Sequence, residues 1–266
     1  MRPVEQRSEV LTVERDGHVA TLWLDDADRR NAMGEAFWRD LPLVMDALGE
    51  DDDVRAVVLA AKGRHFTAGL DLTMLSGADD NRAFLAMVKR LQASITSVAD
   101  CRKPVIAAVQ GACIGGGIDL ITACDIRLAS ADATFSVRET RIAIVADLGT
   151  LQRLPLIVGR GRAAELVYTG RDTAAARALE IGLVDAVHPD VDALHAAARE
   201  LAHEIAANPP LAVRGSKAVM TAADRPLVAE GLERVALWNS AFLPSADLHE
   251  ALAAFVEKRP PNFTGQ

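Results

Sequence analysis

An α/β core followed by a helical extension is the fold class the sequence predicts, on three observations. Short apolar runs of strand length recur through the first half of the chain and alternate with stretches of helical periodicity. Beyond about Leu151 the strand signal fades, and helical patterns follow one another to the end. The 266 residues, half of them hydrophobic and a quarter charged, suit one large domain plus an extension with ample material for a buried core. Strands with crossover helices, then a helical third, belong to the layered α/β class.

Residues 9–14 and 18–24 are β-rich runs on either side of Asp16-Gly17, a hairpin turn signal. Residues 35–48 carry Phe37, Leu41, Val44, Met45 and Leu48 at helical spacing, with Pro42 expected to interrupt them. Residues 54–60 form a continuous apolar run with the length of a buried strand, and 104–109 form another. Between these two, 81–98 returns to helical periodicity; 125–129 and 134–137 read as further short strands. Helices are then predicted over 162–168, 174–181, 191–207, 211–222, 227–239 and 247–257, the last before the Pro260-Pro261 stop. No repeat at a fixed period is evident. The helices 191–207 and 227–239 carry enough apolar residues for a subunit interface, and packing on the chain's own core accounts for them equally well.

Charge and targeting signals narrow the function classes. With 29 basic against 37 acidic side chains the formal charge is −8, and a pI of about 5.3 disfavours nucleic acid as the main partner. The longest apolar stretches, 54–61 and 104–109, fall far short of the roughly 20 residues a bilayer span needs. Residues 1–13 mix Arg, Glu and Gln without a signal-peptide apolar region, and Thr264-Gly265-Gln266 is no peroxisomal address. Cys101, Cys113 and Cys124 are an odd set without a C-x-x-C pair, which fits reduced thiols. A cytoplasmic protein is expected. The glycine run at 111–117 is neither G-x-G-x-x-G nor a P-loop, no G-x-S-x-G occurs, and the six histidines form no metal-binding spacing.

Two glycine-containing turns can carry chemistry. His65-Phe66-Thr67-Ala68-Gly69-Leu70-Asp71-Leu72 follows the first buried strand, and Gly115-Gly116-Gly117-Ile118-Asp119 follows the second. At strand-to-helix junctions backbone N–H groups lack intrahelical partners, so two such turns side by side can offer paired donors to one oxygen. Two helix entries with glycine for tight packing is the other reading. Downstream, Asp119, Glu139 and Asp147 stand in apolar or small-residue surroundings, where a carboxylate either pairs with a cation or has a raised pKa suited to proton transfer. Structural readings remain open for each: a helix N-terminal acid at Asp119, an ion pair of Glu139 with Arg138 or Arg141, an N-cap at Asp147.

The segments KPVIAAVQGACIGGGIDLITACDIRLAS and TFSVRETRIAIVADLGTLQRLP closely resemble the crotonase (enoyl-CoA hydratase/isomerase) superfamily. Arg30-Asn31-Ala32, HFTAGLDL and AFVEKRPPNF extend the similarity over nearly the whole chain. The resemblance implies a crotonase-like spiral of ββα repeats over 1–200 with an acyl-CoA site, and a helical oligomerisation region over 201–266. It also implies homotrimers or homohexamers acting on acyl-CoA thioesters in fatty-acid β-oxidation, without metal or redox cofactor, coenzyme A being part of the substrate.

Within the superfamily, hydratases resemble one another in carrying Glu where this chain has Asp119, Glu at Glu139, and Gly where it has Asp147. The pattern GGGID, VRE and VADLGTLQRLP is instead similar to that of Δ3,5,Δ2,4-dienoyl-CoA isomerases, which use Asp, Glu and Asp. By that resemblance Asp147 takes the α-proton, Glu139 delivers one at the far end of the diene, Asp119 sits close by, and the N–H groups of Leu70 and Gly116 hold the thioester oxygen. Arg30, Arg64, Ala68, Asp71 and Lys258 are implied as substrate-binding positions. Met74, Leu75, Phe84 and Val88 are candidates for an acyl pocket, and ordinary core packing explains them equally well. A 2-enoyl-CoA hydratase is the alternative, and a non-catalytic acyl-CoA-binding subunit a more distant one.

Overall fold

The computed structural model describes residues 8–77, 80–243 and 245–265. The start of the 1–13 stretch and Gln266, both considered above for targeting signals, lie outside them. Two sheets make the frame. β1 (Leu11–Asp16) and β2 (Val19–Leu24) pair antiparallel across the Asp16-Gly17 turn. β3 (Ala56–Ala61), β4 (Val105–Val109), β6 (Ile126–Ser130) and β9 (Ala186–His188) then add parallel strands in the order β1-β2-β3-β4-β6-β9. The smaller sheet holds β5 (Ala112–Ile114), β7 (Thr134–Ser136) and β8 (Thr173–Ala174). Bridges Thr67↔Cys113 and Met33↔Leu70 continue it toward the segment after β3.

Two successive passes of the chain each give one strand to each sheet and then a helix. β4 and β5 lead into α3 (Gly116–Thr122); β6 and β7 lead, through a 3-10 turn at Glu139–Ile142, into α4 (Thr150–Val158). This is the ββα spiral. Its central strands read as unbroken apolar runs because both faces are covered. In β3, Val57, Leu59 and Ala61 join the core that includes α1 (Glu35–Glu50) and α2 (Asn81–Asp100). The alternate residues Ala56, Val58 and Ala60 meet Leu194, Ala198, Ala202 and Ala206 of α7 (Val191–Ala207). Position 200, the expected junction with the oligomerisation region, therefore falls inside a helix that packs on the central sheet.

Several elements differ from expectation. α1 runs unbroken through Pro42 because its buried face, from Phe37 to Leu48, is held by the core on both sides of the proline. The two helices expected over 211–222 and 227–239 are one helix, α8 (Pro210–Phe242), continuous through Pro226. A mid-helix proline removes one hydrogen bond; docking of Leu232, Val235, Ala236 and Asn239 beyond it outweighs that loss. β5, β8 and β9, two or three residues each, are too short for a periodic signal. The remaining helices are α5 (Arg160–Thr169), α6 (Ala175–Glu180) and α9 (Ala246–Glu257). Among the described residues no helix is long and apolar enough to cross a membrane.

The turn Arg30-Asn31 connects fold to site. Both residues adopt left-handed backbone, at φ 55° and 52°. Asn31 Oδ1 accepts from Asp26 N at 2.8 Å, while Nδ2 donates to Lys62 O at 3.0 Å and His65 O at 2.8 Å. The strained turn in exchange offers its carbonyls to the next segment: Arg30 O accepts from Ala68 N and Asn31 O from Thr67 Oγ1. Asn31→Ala removes three side-chain bonds at a position alanine seldom adopts. It is expected to lower unfolding free energy by about 2–4 kcal/mol, read as an earlier urea midpoint at unchanged slope.

Candidate active site

A cavity of about 500 Å³ opens between the two glycine turns, the 3-10 turn and the carboxyl-terminal segment. Gly69, Leu70, Gly115 and Gly116 line one side, Glu139 and Asp147 the other, and Ala251, Ala254 and Phe255 of α9 close it.

The glycine turns approach through contacts that side chains would block. Gly69 sits at φ +89°, and a Cβ there would lie 2.6 Å from Ile114 O and 3.4 Å from Gly116 N. A Cβ on Gly116 would lie 3.7 Å from Leu70 N. The two N–H groups thus belong to one small region of the cavity wall. Leu70 N–H donates to no backbone carbonyl, because the Met33 bridge uses the groups of Gly69 and Asp71. Gly116 N–H stands at the first position of α3, where no preceding turn supplies a carbonyl. Together they are the arrangement an oxyanion requires.

The three carboxylates occupy different environments. Glu139 lines the cavity and makes no ion pair among the described residues: Arg138 pairs with Asp172, and Arg141 Nε donates to Thr169 O. Its Oε2 is buried without a hydrogen-bond partner. Burial pushes its pKa up, and repulsion from Asp119 and Asp147 adds to the shift. Asp147 lines the same cavity, and burial raises its pKa from 3.8 to about 7 against the bond donated by Asn239 Nδ2 to Oδ2 at 2.7 Å. Asp147 is not an N-cap, since α4 begins at Thr150 after Gly149.

That capping role belongs to Asp119. Its Oδ1 accepts from Thr150 N at 2.6 Å, tying the first turn of α3 to the first turn of α4. Burial raises its pKa, while the Thr150 bonds and the buried Arg153 guanidinium hold the rise back. Gly149 lies at φ +133°, where a Cβ would fall 1.8 Å from Arg153 Nη1, so that guanidinium needs a glycine beside it. Asp119 is buried, and it lies close enough to Glu139 for its charge to raise that group's pKa.

Of the implied substrate positions, Arg30 and Ala68 line the cavity. Arg64 is exposed outside it, Lys258 is exposed at the end of α9, and Asp71 is bound to Arg29 at 2.5 Å and to Thr73 Oγ1 at 2.7 Å. Arg259 and Pro261 reach the cavity where Lys258 does not. Phe84 and Val88 pack instead into a buried cluster with Ala236 and Leu248, against which Leu75 rests, and Met74 packs on the main core. The apolar wall comes from Leu72, Ile142, Ile144 and Leu148 with α9.

Sequence reasoning missed Asn239 and Gln92. Gln92 Nε2 donates to Asp147 O at 2.7 Å and to Leu232 O at 2.9 Å. Each carboxamide interrupts a buried helical stripe, Asn239 following Leu232, Val235 and Ala236, and Gln92 lying among Val88, Leu91 and Ile95. A polar residue at an apolar position is the signal that could have found them.

The chain is similar to known proteins over most of its length. The family model described as enoyl-CoA hydratase/isomerase matches residues 14–266. A mitochondrial Delta(3,5)-Delta(2,4)-dienoyl-CoA isomerase of Dictyostelium discoideum is 45% identical over 92% of this chain and 87% of its own length. A peroxisomal one of Arabidopsis thaliana is 43% identical over 96% of both chains. The crystal structure of an enoyl-CoA hydratase/isomerase from Pseudoalteromonas atlantica superposes with a TM-score of 0.87 at 31% identity, covering 96% of this chain and all of that one.

The raised Asp147 pKa makes a stability prediction. The folded state holds this proton more firmly than the unfolded chain, so stability contributed here is complete below about pH 3.8 and is lost as pH rises through about 7. Asp147→Asn removes the buried charge. It is expected to stabilise the protein at pH 8 by up to about 4 kcal/mol and to change little at pH 4, checked by urea unfolding at both pH values.

Proposed function

The chain belongs to the enoyl-CoA hydratase/isomerase family, and within it we propose that this protein isomerises 3,5-dienoyl-CoA to 2,4-dienoyl-CoA. The observation that carries the reading is the pair of carboxyls, Asp147 and Glu139, on one largely apolar cavity that also presents two backbone N–H groups.

Conjugating the diene with the thioester requires loss of a proton from C2 and gain of one at C6. Ionised Asp147 takes the C2 proton, and the electron pair delocalises over the diene and the thioester carbonyl. Negative charge gathers on the thioester oxygen, between the N–H groups of Leu70 and Gly116. Each such donor is worth about 2.7–4 kcal/mol of barrier. Glu139, kept protonated by burial and by its acidic neighbours, gives its proton to C6. The double bonds have moved, no atom is gained or lost overall, and exchange with solvent resets both carboxyls. These steps need proton transfer and an oxyanion site, and coenzyme A enters with the substrate. Asp119 serves by fixing α3 against α4.

A hydratase would hold water between Asp119 and Glu139, whereas Asp119 Oδ1 is already taken by the Thr150 N–H. For the CoA phosphates we propose Arg30, which lines the cavity, with Arg64 and Lys258 outside it. We propose a trimer or paired trimers, supported by Leu211, Val219, Met220 and Trp238, all more than half exposed on α8. A reducing, cytoplasmic compartment is supported by three free, buried cysteines.

The test is the appearance of the conjugated 2,4-dienoyl chromophore from 3,5-dienoyl-CoA, with 2-enoyl-CoA as competing substrate. Rapid conjugation is expected to fall by about 10²–10⁴ in Asp147→Asn and in Glu139→Gln. The pH profile of the parent is expected to be bell-shaped, its acid limb near 7 reporting Asp147 and its basic limb Glu139. Hydration of 2-enoyl-CoA without conjugation would replace this reading with the hydratase.

A further inference from the structure

We propose that Asn239 is a positioning residue that selects which oxygen of Asp147 meets the substrate and favours its proton-accepting form. The inference rests on Asp147 being the base of the reaction proposed above.

Asn239 is buried at 2% exposure on α8, and its Nδ2 donates to both Val145 O at 2.8 Å and Asp147 Oδ2 at 2.7 Å. The NH₂ group has two protons, and both are used. Val145 O can only accept, so it fixes the orientation of the carboxamide: turning the amide over would set oxygen against oxygen. With the amide locked, the group facing Asp147 is always a donor. An ionised carboxylate satisfies that donor fully, whereas a proton on Oδ2 would point at an N–H. Oδ2 is therefore occupied, and Oδ1 is the oxygen left to the cavity.

Gln92 acts on the backbone of the same residue. By joining Asp147 O to Leu232 O it fastens the loop to α8 about two turns before Asn239. Two amides from two helices thus hold one aspartate, one by its peptide and one by its carboxylate. The charged groups around Asp147 are Asp119 on α3, Glu139 on the 3-10 turn and Arg153 on α4, with Arg30, Arg138, Arg141 and Arg259 on the cavity wall. Burial and the Asp119 charge oppose ionisation of Asp147, and Asn239 is the side chain that favours it.

The experiment compares the parent with Asn239→Leu and Gln92→Met. Carboxyl resonances of ¹³C-labelled aspartate, with Asp147 assigned by its loss in Asp147→Asn, give its titration in the free protein. Asn239→Leu is expected to raise that midpoint by about one pH unit, Gln92→Met to leave it in place. The acid limb of kcat/KM for 3,5-dienoyl-CoA is expected to move upward by the same amount, with kcat at pH 7 reduced far more than KM is altered. If Asn239→Leu does not fold, Asn239→Ser, too short to span to Oδ2, is expected to give the same shift. An unmoved midpoint in a folded Asn239 variant would overturn the proposal, as would an equal shift in Gln92→Met. Because the titration is read without substrate, a parent that does not isomerise the dienoyl thioester refutes the reaction assignment, while an unmoved midpoint refutes the role of Asn239.

Discussion

The hydrogen bond from Thr150 N to Asp119 Oδ1 joins two segments that must agree in position for the cavity to exist. α3 starts with Gly116, one of the two backbone donors, and α4 starts just after the loop that carries Asp147. A carboxylate in the first turn of one helix caps the other, so donor and acid are set by a single 2.6 Å contact. That contact is protected by burial, which strengthens it electrostatically and makes its loss costly. Arg153, buried nearby and given room by Gly149, offsets the charge.

Burying three acids within one region is unfavourable in itself, and the chain distributes the cost unevenly. Asp119 has a cap and a cation, Asp147 has one amide donor, and Glu139 keeps an oxygen with no partner. The graded environments separate three chemically similar groups into a structural anchor, a group poised near neutrality and a group inclined to hold its proton. Environment, more than residue type, makes the distinction. The raised ionisation points also mean that the site opposes the stability of the fold at neutral pH, as sites built for proton transfer do.

Much of this is legible in the sequence. Runs such as 54–60 read as strands buried on both faces, and the two glycine turns marked where backbone donors could meet, with tight helix packing as the other reading. The acids were visible because Asp119, Glu139 and Asp147 interrupt apolar or small-residue stretches. What stayed hidden was pairing between distant segments. Nothing in the spacing shows that Asp119 caps a helix 31 residues away, or that Asn239 reaches back 92 residues to Asp147. Cluster membership of Phe84 and Val88 was equally opaque, because a side chain facing a cavity and one facing a core share the same helical pattern. α8 was split at Pro226 since local propensity cannot weigh the docking that carries a helix through a proline.

The length of one side chain has a consequence for how such sites diverge. At 2.6 Å the cap leaves no slack, so a glutamate at position 119 would either push α3 away from α4 or release Thr150 and point elsewhere. Aspartate and glutamate codons differ only at the third base. A single-base substitution at this codon therefore exchanges an acid held in the Thr150 cap for one whose longer side chain does not fit that contact.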